Sequence, residues 1–285
     1  DRAGDARDDR ARHVRASARG HLLEAAAEHG VSVLVLDRPN PLGSAVEGNV
    51  LDPEFRSFVG LAPIPMRHGL TLGELALWLR RHAGLDVDLD VIPASGWRRD
   101  QWFDTTDLPW VLPSPNMPTL DTATVYPGAC LLEGTTLSEG RGTTRPFEIV
   151  GAPGIDPEAL AGAVARHELP GVHLRPLSFQ PTFQKHAGRL CGGVQVHVTD
   201  RHRFQPVLTY LALLVEIRRG WPDQLAWTPP PYEYEHEKRP IDILAGGPEL
   251  RTAVDGGGDP RALADRWRGE AASWSAAAAE DRLYV

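Results

Sequence analysis

The run VSVLVL, residues 31–36, is apolar at five of its six positions and lacks the alternation of a half-exposed strand. A strand of this kind is expected to be buried on both faces, which points to a parallel sheet flanked by helices. Ahead of it stands HLLEAAAEHG, a good helix former with Gly30 placed to stop the helix. Helix followed at once by buried strand commits this part of the chain to an α/β architecture. Asp37, Arg38 and Asn40 come next, where that strand ends, and ligand crevices of open α/β sheets lie outside the carboxyl ends of strands.

The remaining elements sort into three stretches. Residues 1–20 alternate acids and arginines without an apolar stripe and read as a charged, solvated lead-in. Residues 21–95 complete the α/β part: Thr71 and Glu74 form a capping box ahead of LALWLRRHAG, and DVDLDVIP alternates strictly, as a half-exposed strand near a sheet edge does. Residues 96–285 form a loop-rich α+β part. Within it, residues 93–155 read mostly as loop because of their prolines and glycines, yet Trp97, Trp102, Phe103, Trp110, Tyr126 and Phe147 mark the stretch as ordered. Asp156-Pro157 and Asp259-Pro260 start helices. GVHLRPL and GGVQVHVTD read as strands, and PVLTYLALLVEIRRG as an amphipathic helix.

Composition removes several function classes. A net charge of −8 over 285 residues leaves no clustered basic face for nucleic acid. No apolar run reaches the length of a membrane span. Cys130 and Cys191 are too few for a disulfide scaffold or a four-cysteine zinc site; one disulfide or two buried thiols both remain open. The eleven histidines are scattered without H-E-x-x-H spacing, so no metal is expected. EGRGTT lacks the spacing of a phosphate-binding loop, and no G-x-S-x-G elbow supplies a serine nucleophile, so no cofactor is expected either.

The polar chemistry collects in EGTTLSEGRGTTRPFE, residues 133–148. Its glycines disfavour a helix, and a core strand would have to bury Glu133, Glu139 and Arg141. It reads as a shaped loop, the kind that binds ligands. Carboxylates with aromatic neighbours suit a sugar, since glycoside hydrolysis uses paired acids and ring faces pack on aromatic walls. Glu139 and Arg141 bracing each other is an equally good reading. Asn116 between Pro115 and Pro118, His68 in PIPMRHG, and Lys185 with His186 in PTFQKHAG are either ligand contacts or ordinary loop residues.

VLDRPNPLGSAVEGN, FVGLAPIPMRHGLTLGELA, the run from Gly96 to Glu148, PTFQKHAGRLCGGVQVHVTD and PYEYEHEKRPIDIL occur in this order. Together they resemble a bacterial family of exo-β-N-acetylmuramidases, peptidoglycan hexosaminidases formerly grouped as a domain of unknown function. The resemblance covers about residues 20–255. It implies a Rossmann-like parallel-sheet domain, here partial, followed by a smaller α+β domain with a cleft between them. It implies removal of terminal N-acetylmuramic acid from the non-reducing ends of peptidoglycan fragments, in the cell envelope or outside the cell. Arg141 is then the first candidate for the lactyl carboxylate and Lys185 the second, because a guanidinium meets a carboxylate with two parallel hydrogen bonds. Glu139, Asn116 and His68 would address hydroxyls or the acetamido group, and Asn40, Glu47, Ser114, Glu133 and His186 complete the substrate-binding set. The family pattern also implies further chain ahead of residue 20, bearing the first strands of the sheet and a glutamate and tyrosine favoured for catalysis. No residue here inherits those roles, Glu139 being a weak stand-in. The alternative is therefore a non-catalytic protein that binds muropeptides or amino sugars.

Overall fold

The structure is a computed structural model that describes the backbone of residues 13–285 and the side chains from residue 20 onward. The lead-in expected over residues 1–20 lies outside the described residues as far as residue 12. From there helix α1 runs over His13–His29, starting well ahead of the expected HLLEAAAEHG. Leu23 and Ala26 anchor it in a cluster with Leu75, Trp78 and Leu79 of α2 (Leu72–His82).

Strand β1 (Val33–Leu36) pairs in parallel with β4 (Leu89–Ile92), Val33 opposite Leu89 and Leu36 opposite Ile92. Val33 and Val35 pack on the α1/α2 cluster, whereas Leu34 is 61% and Leu36 57% exposed. The expectation of burial on both faces is thus corrected: among the described residues α1 and α2 cover one face only. A missing alternation reports how apolar a strand is, and not whether a second layer covers it. β4 matches its pattern, with Val87 and Leu89 buried and Asp88 and Asp90 exposed. The capping box of α2 forms as expected, Thr71 N–H donating to Glu74 Oε2 at 2.8 Å and Glu74 N–H to Thr71 Oγ1 at 3.2 Å. Between β1 and α2 lies an antiparallel pair, β2 (Glu47–Val50) and β3 (Pro65–Arg67), with a register irregularity between Glu47 and Val50.

The α+β part surrounds α5 (Pro206–Gly220), whose residues 206–217 are all buried. This helix is enclosed all round rather than amphipathic. Leu211, Leu213, Leu214 and Ile217 are fully buried, each contributing about 1.5–3 kcal/mol. On it pack α4 (Pro157–Ala165) and an antiparallel sheet ordered β5 (Ile149–Ala152), β7 (Cys191–Val198), β6 (Val172–Phe179). The stretch expected to be mostly loop holds one more helix, α3 (Leu120–Ala129), capped by Thr119. Its glycine is a packing device: a Cβ on Gly128 would lie 2.1 Å from the carbonyl oxygen of Pro206, so α3 and α5 touch backbone to backbone.

Three helices close the chain: α6 (Pro240–Ala245), α7 (Glu249–Asp255) and α8 (Pro260–Ala277). The tail after α8 returns to the first part. Arg81 holds Asp281 at 2.6 Å, Leu283 N–H donates to Glu74 at 2.9 Å, and Tyr284 Oη donates to Asp37 at 2.6 Å. The C-terminal tail therefore stitches the two parts together. Cys130 and Cys191 are free, buried thiols.

Candidate functional site

The site is assembled from the end of β1. Asp37, 1% exposed, accepts from Thr71 Oγ1 at 2.7 Å, Gly73 N–H at 2.7 Å and Tyr284 Oη at 2.6 Å. Burial, and then this bond, lifts the Tyr284 phenol to about 12. With the N-terminus of α2 fixed to β1, two turns are drawn together. Asn40 spends both ends of its carboxamide on them, donating to Leu70 O at 2.9 Å and accepting from Leu42 N–H at 3.0 Å. Arg67 donates to Leu42 O at 2.8 Å, and Arg99 clamps Gly69 O at 2.7 Å and Glu74 at 2.6 Å. His68 Nδ1 accepts from Leu70 N–H at 3.1 Å, which leaves Nε2 as the protonated nitrogen of the neutral ring.

These turns form one wall of a cleft of about 670 Å³ between the two parts of the chain. Asn40, Arg67 and His68 lie on that wall, and Phe103, Trp110 and Tyr126 also line the cleft. Phe103 and Trp110 meet edge to face at 5.3 Å. Arg38, Arg67 and His68 are the basic side chains lining the cleft; among the described residues no carboxylate lines it. The cleft accordingly favours an anion, and its aromatic and aliphatic walls favour an apolar ring face.

Behind Tyr126 lies a second feature, built from the loop at residues 133–148. Tyr126 Oη donates to Glu133 at 3.4 Å and Tyr232 Oη donates to the same carboxylate at 3.0 Å. Burial, reinforced by Glu133, pushes the Tyr232 phenol well up. Arg141 stands 3.3 Å from both Glu133 and Glu139 and packs over the ring of Phe147. Lys185 holds Glu139 at 2.9 Å and donates to Leu132 O at 2.8 Å. His186 Nε2 reaches Thr136 O at 2.8 Å, and desolvation lowers its pKa. The loop carrying Lys185 docks through Gly142: Thr182 N–H donates to Gly142 O at 2.9 Å, and a Cβ on Gly142 would meet Phe183 N at 2.7 Å. Glu139 is 1% exposed, so the ion pairs fix the loops to each other.

Glu133, Glu139, Arg141, Lys185 and His186 thus converge, and Asn40 and His68 converge separately on the cleft. Ser114 and Asn116 belong to the Trp110 loop, where Asn116 N–H donates to Ser114 Oγ at 3.3 Å and Trp110 Nε1 to Met117 O at 3.3 Å. Glu47 points into a smaller chamber of about 190 Å³ beside Arg67. Burial lifts its carboxyl to about 7 against the opposing pull of the Leu208 N–H, 3.1 Å away, and of Arg67. Sequence reasoning passed over Arg67, Tyr126 and Tyr232 as site residues. Arg67 stands beside His68, a signal that points to it; Tyr126 is hidden because Pro127 and Gly128 make its helix read as loop. Among the described residues no group of three or more His, Cys, Asp or Glu is placed to hold a metal, and no helix is long and apolar enough to cross a membrane.

Residues 16–121 match the family model described as exo-beta-N-acetylmuramidase NamZ, N-terminal, and residues 124–284 match its C-terminal counterpart. The chain belongs to the exo-β-N-acetylmuramidase NamZ family. The two NamZ family models meet at the start of α3. The peptidoglycan β-N-acetylmuramidase NamZ of Bacillus subtilis (strain 168) is 46% identical over 238 residues, 83% of this chain and 56% of that protein. The chain therefore spans about half the length of this relative. A crystal structure of a DUF1343 family protein from Bacteroides fragilis NCTC 9343 superimposes with a TM-score of 0.86 at 30% identity, covering 95% of this chain and 71% of that one. A second one from the same organism gives 0.72 at 27% identity, covering 94% and 70%.

Proposed function

We propose that this NamZ-family chain carries the sugar-binding cleft of an exo-acting glycoside hydrolase. Its substrate is terminal N-acetylmuramic acid at the non-reducing ends of peptidoglycan fragments, and its workplace is the cell envelope or the medium where such fragments occur. The observation that carries the reading is the match of the two NamZ models to nearly all of the chain. The cleft adds chemical support. N-acetylmuramic acid is an amino sugar with a lactyl carboxylate, and Arg38, Arg67 and His68 face the cleft without an acidic neighbour among its described lining residues. Phe103 and Trp110 suit the ring's apolar face. Arg141 and Lys185, occupied by Glu133 and Glu139, act in this reading as the frame of the adjoining loops. The reading assigns binding to these residues and leaves the acid–base pair of the hydrolysis unassigned.

The test is hydrolysis of 4-nitrophenyl N-acetyl-β-muramide by the protein made from its complete gene. Release of 4-nitrophenol supports the enzyme. Binding of N-acetylmuramic acid without turnover supports the binding-protein alternative, and neither binding nor turnover overturns both.

A further inference from the structure

Asn49, on β2, lines the cleft and is 9% exposed. Its Oδ1 has no hydrogen-bond partner, and its Nδ2 reaches only the carbonyl oxygen of its own neighbour Val50, at 3.4 Å. That length is marginal for a hydrogen bond, so most of the carboxamide's capacity is unused. Unused capacity in a covered polar side chain is rare and costly. The register irregularity between Glu47 and Val50 helps to explain its position. Such bulges re-aim side chains, and here Glu47 lines the small chamber while Asn49 lines the cleft. Around Asn49 the wall is aliphatic, from Leu51, Ile64, Leu244 and Ala245.

A carboxamide N–H donor set in an aliphatic wall is matched by a ligand group with a C=O acceptor and a short alkyl end. We propose that Asn49 recognises a secondary amide of the substrate, with its Nδ2 donating to the ligand carbonyl and Leu51 and Leu244 covering the alkyl end. This deepens the muramidase reading and rests on it, because N-acetylmuramic acid carries such a group as its acetamido substituent. The stem peptide of a muropeptide carries the same chemistry. A free amine in place of the acetamido group would bring a charge to the aliphatic wall and leave Nδ2 without an acceptor.

The test is calorimetric titration of the wild type, Asn49→Leu and Asn49→Ala with N-acetylmuramic acid, muramic acid, and N-acetylmuramic acid bearing a stem peptide. The wild type is expected to bind N-acetylmuramic acid about tenfold or more tighter than muramic acid, the scale of a lost buried hydrogen bond. Both variants should bring that ratio close to one. The ligand-free Asn49→Leu protein should melt no lower than the wild type, since an unpartnered buried amide has been replaced by a side chain of similar size; Asn49→Ala serves if the leucine variant does not fold. Loss of preference with the free sugar identifies the acetamido group. Loss confined to the peptide-bearing fragment identifies the peptide amide and still supports an amide-reading Asn49. A ratio unchanged in the variants for every ligand overturns the inference while leaving the muramidase reading intact. A wild type that binds none of the three sugars removes both.

Discussion

Replacing Glu47 by glutamine isolates a single buried proton. In the folded chain the Glu47 carboxyl titrates near 7 instead of its ordinary 4.5, chiefly because burial disfavours the anion. Below about pH 4.5 the group is protonated in folded and unfolded chains alike, and its contribution to stability is fully present. Between 4.5 and 7 the unfolded chain releases the proton while the folded chain keeps it, so stability falls as pH rises, by about 1.4 kcal/mol per pH unit at most. Above 7 both states are ionised and the loss is complete, at no more than about 3 kcal/mol. Glutamine keeps an oxygen for the Leu208 N–H and has nothing to titrate. Urea unfolding of both proteins at half-unit steps from pH 4 to 8 reads the difference directly, with other carboxylates cancelling in the subtraction. The wild type should lose up to about 3 kcal/mol relative to Glu47→Gln across that range. A difference that stays flat, or that grows in favour of the wild type with rising pH, would refute the reasoning.

Other consequences can be checked with single variants. Arg141→Leu leaves Glu133 short of a cation and Glu139 with Lys185 alone, and should cost about 3–5 kcal/mol by urea unfolding, the scale of a broken buried ion pair. Gly142→Ala forces a Cβ against Phe183 N at 2.7 Å from a backbone with φ of +81°; its thermal midpoint should fall, by more than about 1 kcal/mol in stability. Tyr210 Oη donates to the carbonyl oxygen of Phe147 at 2.5 Å, so Tyr210→Phe should cost about 1–3 kcal/mol by leaving that buried oxygen unpaired. Burial pushes both the Cys130 and the Cys191 thiols up. Ellman's reagent should therefore find almost no reactive thiol in the native chain and two after denaturation.

Much of this protein is determined locally and could be read from its residues in order. The capping box at Thr71 and Glu74, the Asp-Pro starts of α4 and α8, the alternation in DVDLDVIP and the strand in GVHLRPL each depend on neighbours within a few positions. The family likeness, too, rests on short strings in a fixed order, which need no coordinates. What failed to show were features set by distant partners. VSVLVL has the composition of a doubly covered strand, but coverage depends on which layers pack there, and Leu34 and Leu36 stay open to solvent. Gly128 and Pro127 read as loop because their reason for being there is the backbone of α5, more than seventy residues away in the chain.

The site divides in the same way. The sequence by itself determined that Glu133, Glu139 and Arg141 belong to one shaped loop and that Asn40 stands at a strand end. Only the tertiary structure decided that Arg141 and Lys185 are held by acids, that Glu47 faces a side chamber, and that Arg67, Tyr126 and Asn49 line the cleft. A residue type states which bonds a side chain can make. Which of them are already used, and which remain for a ligand, is fixed by groups that folding brings from remote parts of the chain.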